Sequence, residues 1–243
     1  GEKLHDERTG ETFNYGRRRG VLLSGLVGWR GDRSSLWNAA EAAENRKNSV
    51  VAREIVIALP YELDAARRAE LVEGFAQWLH SRHGLAVDYA IHSPDKDGDQ
   101  RNHHAHLMLT TRKIENGGMG AKTRELDQRQ HSGKHLEMWR SQWAAICNRA
   151  LALDGADMAL DHRSYLRQAE PFGAVPLVPQ KHLGPAATHL IRKGGMTHKA
   201  KENAWARAVN RGLRRAGRQL GRGLVRGMNS MIDEVGKEAG RER

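Results

Sequence analysis

Three stretches of the chain carry apolar residues at the spacing of an amphipathic helix. Asp32 can cap the first helix and Asp64 the second, and Gly84 suits the end of the second. The positions that define the three apolar stripes are, in chain order, Leu36, Ala40 and Ala43; Leu71, Phe75, Trp78 and Leu79; and Leu136, Trp139, Trp143, Ile146, Ala150 and Leu151. The pattern therefore predicts three helices, each with one side turned to a core.

Between these helices apolar and polar positions alternate with a period of two, which indicates strands. One strand is predicted at residues 50–59, with Glu54 on the face opposite to most of its large apolar residues. Two more, at 87–92 and 104–111, flank a polar loop and form a predicted antiparallel hairpin. Helices and an antiparallel pair in one chain predict the α+β class, with a largely antiparallel central sheet flanked by helices.

The two ends of the chain have weaker patterns. Residues 1–31 contain turn signals at Thr9-Gly10 and Arg19-Gly20, and residues 160–195, with four prolines, are predicted to be irregular. From Met196 onwards a helical period returns with many basic residues and several glycines, so a basic amphipathic helix is predicted there, binding phosphates or lipid headgroups or simply solvated. We expect two domains, 1–195 and a helical extension at 196–243.

The predicted hairpin brings three histidines together. Side chains repeat every two residues along a strand, so His104 and His106 project from one face, and His103 from the other. His92 ends the preceding strand and would lie opposite His104. Three imidazoles with open coordination positions are typical of a catalytic site for a divalent cation. The alternative is that these are solvated loop histidines, since the chain contains 13 histidines.

Composition narrows the range of partners. The formal net charge of +11 favours a polyanion, with nucleic acid ahead of an anionic membrane. The single cysteine, Cys147, excludes an intramolecular disulfide and fits a reducing compartment, so we expect a cytoplasmic protein. No apolar run is long enough to span a membrane and no signal peptide is evident. The chain starts at Gly1 rather than Met, and we expect a fragment or a processed form.

A cation held by imidazoles in a basic protein points to cleavage of phosphodiesters. The cation would polarise a phosphate oxygen and stabilise negative charge in the transition state. The attacking group is either water or a tyrosine hydroxyl, and the residue pattern does not choose between them.

Several segments, spread over residues 1–190, together resemble the MobA/MobL (TraA-type) relaxases of mobilisable and conjugative plasmids, which carry a His-hydrophobic-His motif. The segments are Gly1-Glu2-Lys3-Leu4, Asp6-Glu7-Arg8-Thr9-Gly10-Glu11-Thr12, Val51-Ala52-Arg53-Glu54, Ile57-Ala58-Leu59-Pro60, Ala90-Ile91-His92, Gly98 to Leu107, Gly120 to Leu126, Asp161-His162-Arg163-Ser164 and His182-Leu183-Gly184-Pro185. The residues beyond about 195 are not covered by this resemblance.

The resemblance implies strand-specific nicking of DNA at an origin of transfer, by transesterification onto a tyrosine. It implies that His92, His104 and His106 bind Mg²⁺ or Mn²⁺, and that Glu54 orients a ligand imidazole or assists proton transfer. Lys122 and Arg124 become candidate DNA phosphate contacts. The expected partners are single-stranded origin DNA, accessory mobilisation proteins and a secretion coupling protein. For Glu54 the alternative is a polar residue on a half-exposed strand, and for the Lys122 and Arg124 pair it is solvated loop charge.

The nucleophile is the least certain part of this prediction. In the family the tyrosine lies in an Ala-rich helix before the segment that resembles Gly1-Glu2-Lys3-Leu4, so the resemblance predicts that it lies upstream of Gly1. Tyr15 is the alternative within this chain. Other functions remain open: a non-catalytic fragment that binds single-stranded DNA, a rolling-circle replication initiator of the same motif class, or a metal-dependent hydrolase that uses water.

Overall fold

The computed structural model of the chain describes residues 3–14, 20–46, 48–172 and 174–217. The strands in this part of the chain are β1 (Lys3–Asp6), β2 (Glu11–Asn14), β3 (Val21–Val27), β4 (Ala52–Ala58), β5 (Leu85–His92), β6 (His104–Glu115) and β7 (Gly118–Lys122). The helices are α1 (Arg33–Ala42), α2 (Ala65–His83), α3 (Arg129–Leu153), α4 (Tyr165–Ala169), α5 (Gly184–Arg192) and α6 (198–217), with single 3-10 turns at Arg124–Leu126 and Glu170–Phe172. Among the described residues, no helix is both long and apolar enough to cross a bilayer.

A five-stranded antiparallel sheet forms the centre of the first part of the chain. Its strands lie in the order β3-β5-β6-β4, and β7 pairs with the far end of β6. The strands β1 and β2 form a separate two-stranded hairpin. The predicted α+β class, with a largely antiparallel sheet flanked by helices, is confirmed.

The predicted helix ends are confirmed by their hydrogen bonds. Asp32 accepts a bond from the Ser35 amide at the start of α1, and Asp64 accepts one from the Arg67 amide at the start of α2. Gly84 ends α2 in the left-handed conformation, with φ of 71°. Each cap satisfies a backbone group that the first or last turn of a helix leaves without a partner inside the helix.

One face of the sheet carries the hydrophobic core, which α2 and α3 cover. Leu85, Val87 and Tyr89 of β5 point to this face, and Leu107 and Leu109 of β6 do the same. The helices contribute further buried side chains, among them Leu71, Phe75, Leu79, Trp143, Cys147 and Leu151. Burial raises the pKa of the Cys147 thiol to about 12, so the thiol is protonated and unreactive at neutral pH.

The opposite face of the sheet carries the even-numbered residues of β5 and β6, including the three histidines, and α1 covers part of it. Asp88 of β5 is buried on this face, where Arg33 Nε lies 2.7 Å from its Oδ2 and Trp37 Nε1 donates to the same oxygen at 2.9 Å. His92 follows Asp88 by four residues on the same strand, and it is partly exposed. The ion pair thus fastens α1 over one end of this face.

The structure contains strands that the sequence pattern did not predict. Both strands of the β1–β2 hairpin and the strand β3 fall in a region where only turns and one short apolar run were expected. The strand β7 follows a turn at Asn116-Gly117, whose two residues have φ of 52° and 80°. These angles suit a two-residue hairpin turn, so the turn residues carry β6 directly into β7.

The second part of the chain contains helices that were not predicted. The chain separates into two compact units after His162, and the predicted domain boundary at 195 stays a prediction. The stretch 160–195, predicted to be irregular, contains α4 and α5, and α5 has a proline in its first turn, where proline is tolerated. The predicted basic helix is seen as α6, and residues 218–243 of the predicted extension lie outside the described residues.

Candidate metal centre

The register of the sheet brings the three histidines together at one end of β5 and β6. His92 lies directly opposite His104 across the β5–β6 pair, and His106 follows two residues later on the same face. Their ring centres are 4.9 to 5.4 Å apart. One nitrogen from each ring lies within 4.8 Å of the others, so the three could hold one metal ion. The predicted convergence of the three rings is therefore what the structure shows.

Two of the rings are fixed by hydrogen bonds through Nδ1. His104 Nδ1 lies 2.9 Å from the carbonyl oxygen of Asn102, and His106 Nδ1 lies 2.6 Å from Glu54 Oε1. A carbonyl and an ionised carboxylate only accept, so in both rings Nδ1 carries the proton and donates it. This tautomer leaves the lone pair on Nε2, which is the atom that would bind a cation.

The electrostatic environment favours the neutral imidazole of His92, the ligand on β5. Partial burial lowers the pKa of His92, and the neighbouring His106 and His104 rings lower it further because a second positive charge nearby is unfavourable. Metal ligation requires the neutral ring. The same crowding that disfavours protonation therefore prepares the site for a cation.

The donor set fits a divalent ion with free coordination positions. The cluster offers three nitrogens from rings that are each half-buried, and one side of the cluster remains open to solvent. Closed structural sites usually have four protein ligands, whereas three ligands leave room for water or a substrate oxygen. The arrangement can therefore present a cation to an incoming anionic group.

The other predicted site residues lie in different settings. Lys122 ends β7, and its ammonium is 2.6 Å from Oε2 of Glu44, a carboxylate only 7% exposed. Arg124 begins the following 3-10 turn and is exposed. Tyr15 lies outside the described residues. The structure thus brings Glu54 to the histidines but places Lys122 in an ion pair.

Two residues near the cluster escaped the sequence prediction. Asn102 orients His104 through a backbone carbonyl, an interaction that leaves no trace in residue type. Arg53 is the neighbour of Glu54 on β4 and points to the other face, where its guanidinium binds Asp127 at 2.6 Å and Thr123 Oγ1 and the Thr123 carbonyl at 3.0 Å. It thereby holds the segment that carries Arg124 against the sheet.

The fold and the cluster define an α+β protein with a candidate three-histidine metal centre beside an antiparallel hairpin. The model of the MobA/MobL family matches residues 1–193, and the chain belongs to this family. It is 34% identical over 240 residues to "Mobilization protein MobL" of Acidithiobacillus ferridurans, an alignment that covers 87% of this chain and 62% of that protein. It is 30% identical over 255 residues to "Probable mobilization protein MobA" of Bifidobacterium longum, covering 86% and 43%.

A solved structure has a similar fold. It is described as "Molecular Basis of Vancomycin Resistance Transfer in Staphylococcus aureus", and it superposes with a TM-score of 0.56 at 29% sequence identity. The match covers 68% of this chain and 86% of that one. The chain spans less than two thirds of the length of the two relatives named above.

Proposed function

We propose that this chain provides the metal-binding part of a relaxase, an enzyme that nicks one strand of DNA at an origin of transfer so that a plasmid can be mobilised. The observation that carries the proposal is the cluster of His92, His104 and His106, with Nδ1 of two rings held by Asn102 and Glu54. Family membership supports the choice of DNA as the substrate.

The histidines would hold Mg²⁺ or Mn²⁺ through their Nε2 atoms. When bound, the ion would polarise a non-bridging oxygen of the scissile phosphate and stabilise the negative charge of the transition state. Glu54 accepts a hydrogen bond from Nδ1–H of His106. This bond fixes the ring and makes Nε2 a better electron-pair donor to the cation. Imidazole nitrogen is a poorer ligand for Mg²⁺ than oxygen is, so Mn²⁺ is the better probe of the site.

The reaction proposed is transesterification onto a tyrosine. The phenolic oxygen gives its proton to solvent and forms a bond to phosphorus, while the bond from phosphorus to the 3′ oxygen breaks and that oxygen takes up a proton. The products are a 5′ phosphotyrosine and a free 3′-hydroxyl, so the energy of the phosphodiester is kept for religation. Two candidates for the nucleophile remain proposals, namely a tyrosine upstream of Gly1 and Tyr15.

The remaining partners are proposals of the same kind. We expect single-stranded origin DNA as the substrate, in the bacterial cytoplasm, with accessory mobilisation proteins and a secretion coupling protein acting on the complex.

The function is tested with protein expressed from the complete reading frame and a supercoiled plasmid that carries the neighbouring mobilisation region. Nicking should require Mn²⁺ or Mg²⁺ and should leave DNA linked to protein after denaturation. His104→Ala should abolish both, because the cation loses one of three ligands. His131→Ala, an exposed histidine on α3, is the matched control and should leave nicking intact.

Different outcomes separate the alternatives. Metal-dependent nicking without linked DNA would mean that water is the nucleophile. Salt-dependent binding of DNA without any nicking would show that the protein binds DNA but does not cleave it, and would contradict the proposed reaction. Nicking that is the same in His104→Ala as in the unmodified protein would remove the histidine cluster from the chemistry.

A further inference from the structure

Positive charge is divided very unevenly between the two compact units. Residues 1–162 hold 23 basic and 23 acidic side chains, whereas residues 163–243 hold 17 basic and 6 acidic ones. The whole formal surplus of +11 therefore lies in the second unit. Most of it falls in residues 163–217, with 11 basic and 2 acidic side chains. The unit that carries the histidines is neutral.

Hydrogen bonds fix which side of α6 faces inward. Asn203 accepts a bond from the Lys181 amide at 2.7 Å and donates to the Lys181 carbonyl at 2.8 Å. Asn210, two helical turns later, binds the amide and carbonyl of Val178 in the same way, at 2.8 and 2.9 Å. The two amides thus hold the segment 178–181 along one side of α6. Buried Ala200 and Ala206 lie on this side as well.

The opposite side of α6 is a flat basic surface. Lys201, Arg211 and Arg215 are exposed and fall within one narrow sector of the helix, spread over about 21 Å of its length. Between them the helix presents only Ala204, Ala208 and Gly212, which are also exposed. In the described part of the chain these three cations have no acidic partner. The one acidic residue of α6, Glu202, is bound by Lys181 at 2.6 Å.

One aromatic ring borders this surface. Trp205 is 61% exposed, although a tryptophan is usually well buried in a domain of this size. It lies one turn after Lys201 on the same side of the helix. Its π-face is available for stacking, and sequence-tolerant binding of single strands combines cations with such rings.

The chemistry of the surface distinguishes nucleic acid from a lipid bilayer. An interfacial membrane helix inserts a broad apolar face, but the larger aliphatic residues of α6, Val209 and Leu213, lie towards its inward side. On the outward side the cations are separated only by small residues. A phosphodiester backbone can therefore approach the helix closely. Arginine suits phosphate because its planar guanidinium can form two parallel hydrogen bonds.

We propose that the outward face of α6, formed by Lys201, Trp205, Arg211 and Arg215, binds the backbone of single-stranded DNA without regard to sequence. The helix lies beyond residue 193, where the match to the family model ends. The choice of DNA as the nucleic acid rests on the proposed function, while the surface itself does not depend on the histidines. The second unit therefore supplies affinity that the neutral first unit lacks.

The test is fluorescence anisotropy of a labelled mixed-sequence oligonucleotide, titrated in EDTA with the full chain at several salt concentrations. Replacing Lys201, Arg211 and Arg215 by Ala should weaken binding at least about tenfold at low salt and should lower the slope of log affinity against log salt by about 2, since each lost phosphate contact accounts for about 0.7. Trp205→Ala should weaken binding about fivefold or more with little change in slope.

The matched control removes three exposed cations from α3 of the first unit, Lys134, Arg140 and Arg149. It removes the same net charge and should leave both affinity and slope within about a factor of two, because none of these residues belongs to the proposed surface. Circular dichroism verifies that each variant keeps its helices.

Three results would overturn the proposal: an unchanged salt slope in the α6 variant, an equal loss in the α3 control, or a loss confined to binding of phosphatidylserine vesicles. The outcome is independent of the proposed reaction, because the oligonucleotide is titrated in EDTA, where the histidines hold no cation and no nicking is measured. A protein that binds through α6 but never nicks would contradict the reaction alone.

Discussion

The two compact units use charged residues in different ways. In the first unit three cations are paired with carboxylates that the fold buries: Arg33 binds Asp88, and Arg112 and Lys122 both bind Glu44. In the second unit several cations of α6 stand exposed and unpaired among the described residues. A basic side chain close to the histidines in sequence is therefore no better a candidate for DNA contact than one far from them. What matters is whether a buried carboxylate already holds it.

Glu44 shows how a buried carboxylate of the first unit binds nearby cations. Burial acts to raise the pKa of this carboxyl, but hydrogen bonds from Lys122, Arg112 and Ser49 outweigh burial and hold the pKa below its ordinary value. The ionised group thus joins the end of α1 to β6 and β7. The two cations offset the free-energy cost of burying the Glu44 carboxylate. Removing any one of Glu44, Arg112 and Lys122 would therefore destabilise the folded state.

The largest effect on stability is expected from removing Glu44. Glu44→Ala leaves Arg112 and Lys122 partly buried without their partner and should lower the free energy of unfolding by about 3–5 kcal/mol, measured by urea denaturation. Arg215→Ala, which removes an unpaired cation of α6, should change it by less than about 0.5 kcal/mol. Equal effects in the two variants would erase the distinction between the units.

Protonation of His83 should also weaken the first unit. Burial, together with the charges of His135 and Arg82, lowers its pKa from 6.5 to about 4, and its Nε2 accepts a hydrogen bond from Trp139 Nε1 at 2.9 Å. The unfolded chain therefore binds a proton between pH 6.5 and 4 that the folded one does not. Stability should fall as pH drops through this window, by about 3 kcal/mol in total.

His83→Gln provides the comparison for that effect, because the amide oxygen can accept the Trp139 bond but does not titrate in this range. Chemical denaturation at a series of pH values should show a flatter dependence between pH 4 and 6.5 for this variant. Parallel curves for the two proteins would show that His83 is not the group responsible.

Metal affinity should depend on Glu54 to an intermediate degree. Glu54→Gln replaces the carboxylate that holds His106 by a neutral amide, and such partners of metal ligands typically change affinity by about 10 to 100-fold. Calorimetric titration with Mn²⁺ would measure this. Glu62→Gln, an exposed change on the same unit, should have no effect. An unaltered affinity in Glu54→Gln would reduce the Glu54–His106 contact to a surface interaction.

The smallest expected effect is on DNA binding, and it distinguishes Arg124 from Lys122, the two predicted DNA contacts. Arg124→Ala should weaken oligonucleotide binding only about threefold and lower the salt slope by about 0.7, the value of one phosphate contact. Lys122→Ala should instead lower stability, since its ammonium is bound to Glu44. If Lys122→Ala weakened DNA binding more than Arg124→Ala at equal stability, the ion pair would not be its main role.

Much of the first unit follows from its sequence because local signals agree there. Aspartate caps, a terminal glycine and apolar stripes define α1 and α2, and the two-residue repeat around His104 and His106 predicts the histidine face. Glu54 was expected at the site only from the family resemblance, because the pairing of β4 with β6 that brings it to His106 has no local signal in the sequence.

The elements that escaped prediction lack such local signals. The strands β1 and β2 are four residues long and largely polar, and β7 begins with Gly118, which has a low strand propensity. The role of Lys122 depends on Glu44, 78 positions earlier in the chain. Contacts of this range are set by how the elements pack and not by the residues near them.

Titration of the chain with Mn²⁺, followed by the electron paramagnetic resonance of the free ion, tests whether the three histidines hold one cation. We expect one site in the unmodified protein and in His131→Ala, and no site in the same concentration range in His104→Ala. Oligonucleotide binding in EDTA should be the same for all three. A site that survives His104→Ala, or its absence from the unmodified chain, would contradict the assignment of the histidine cluster.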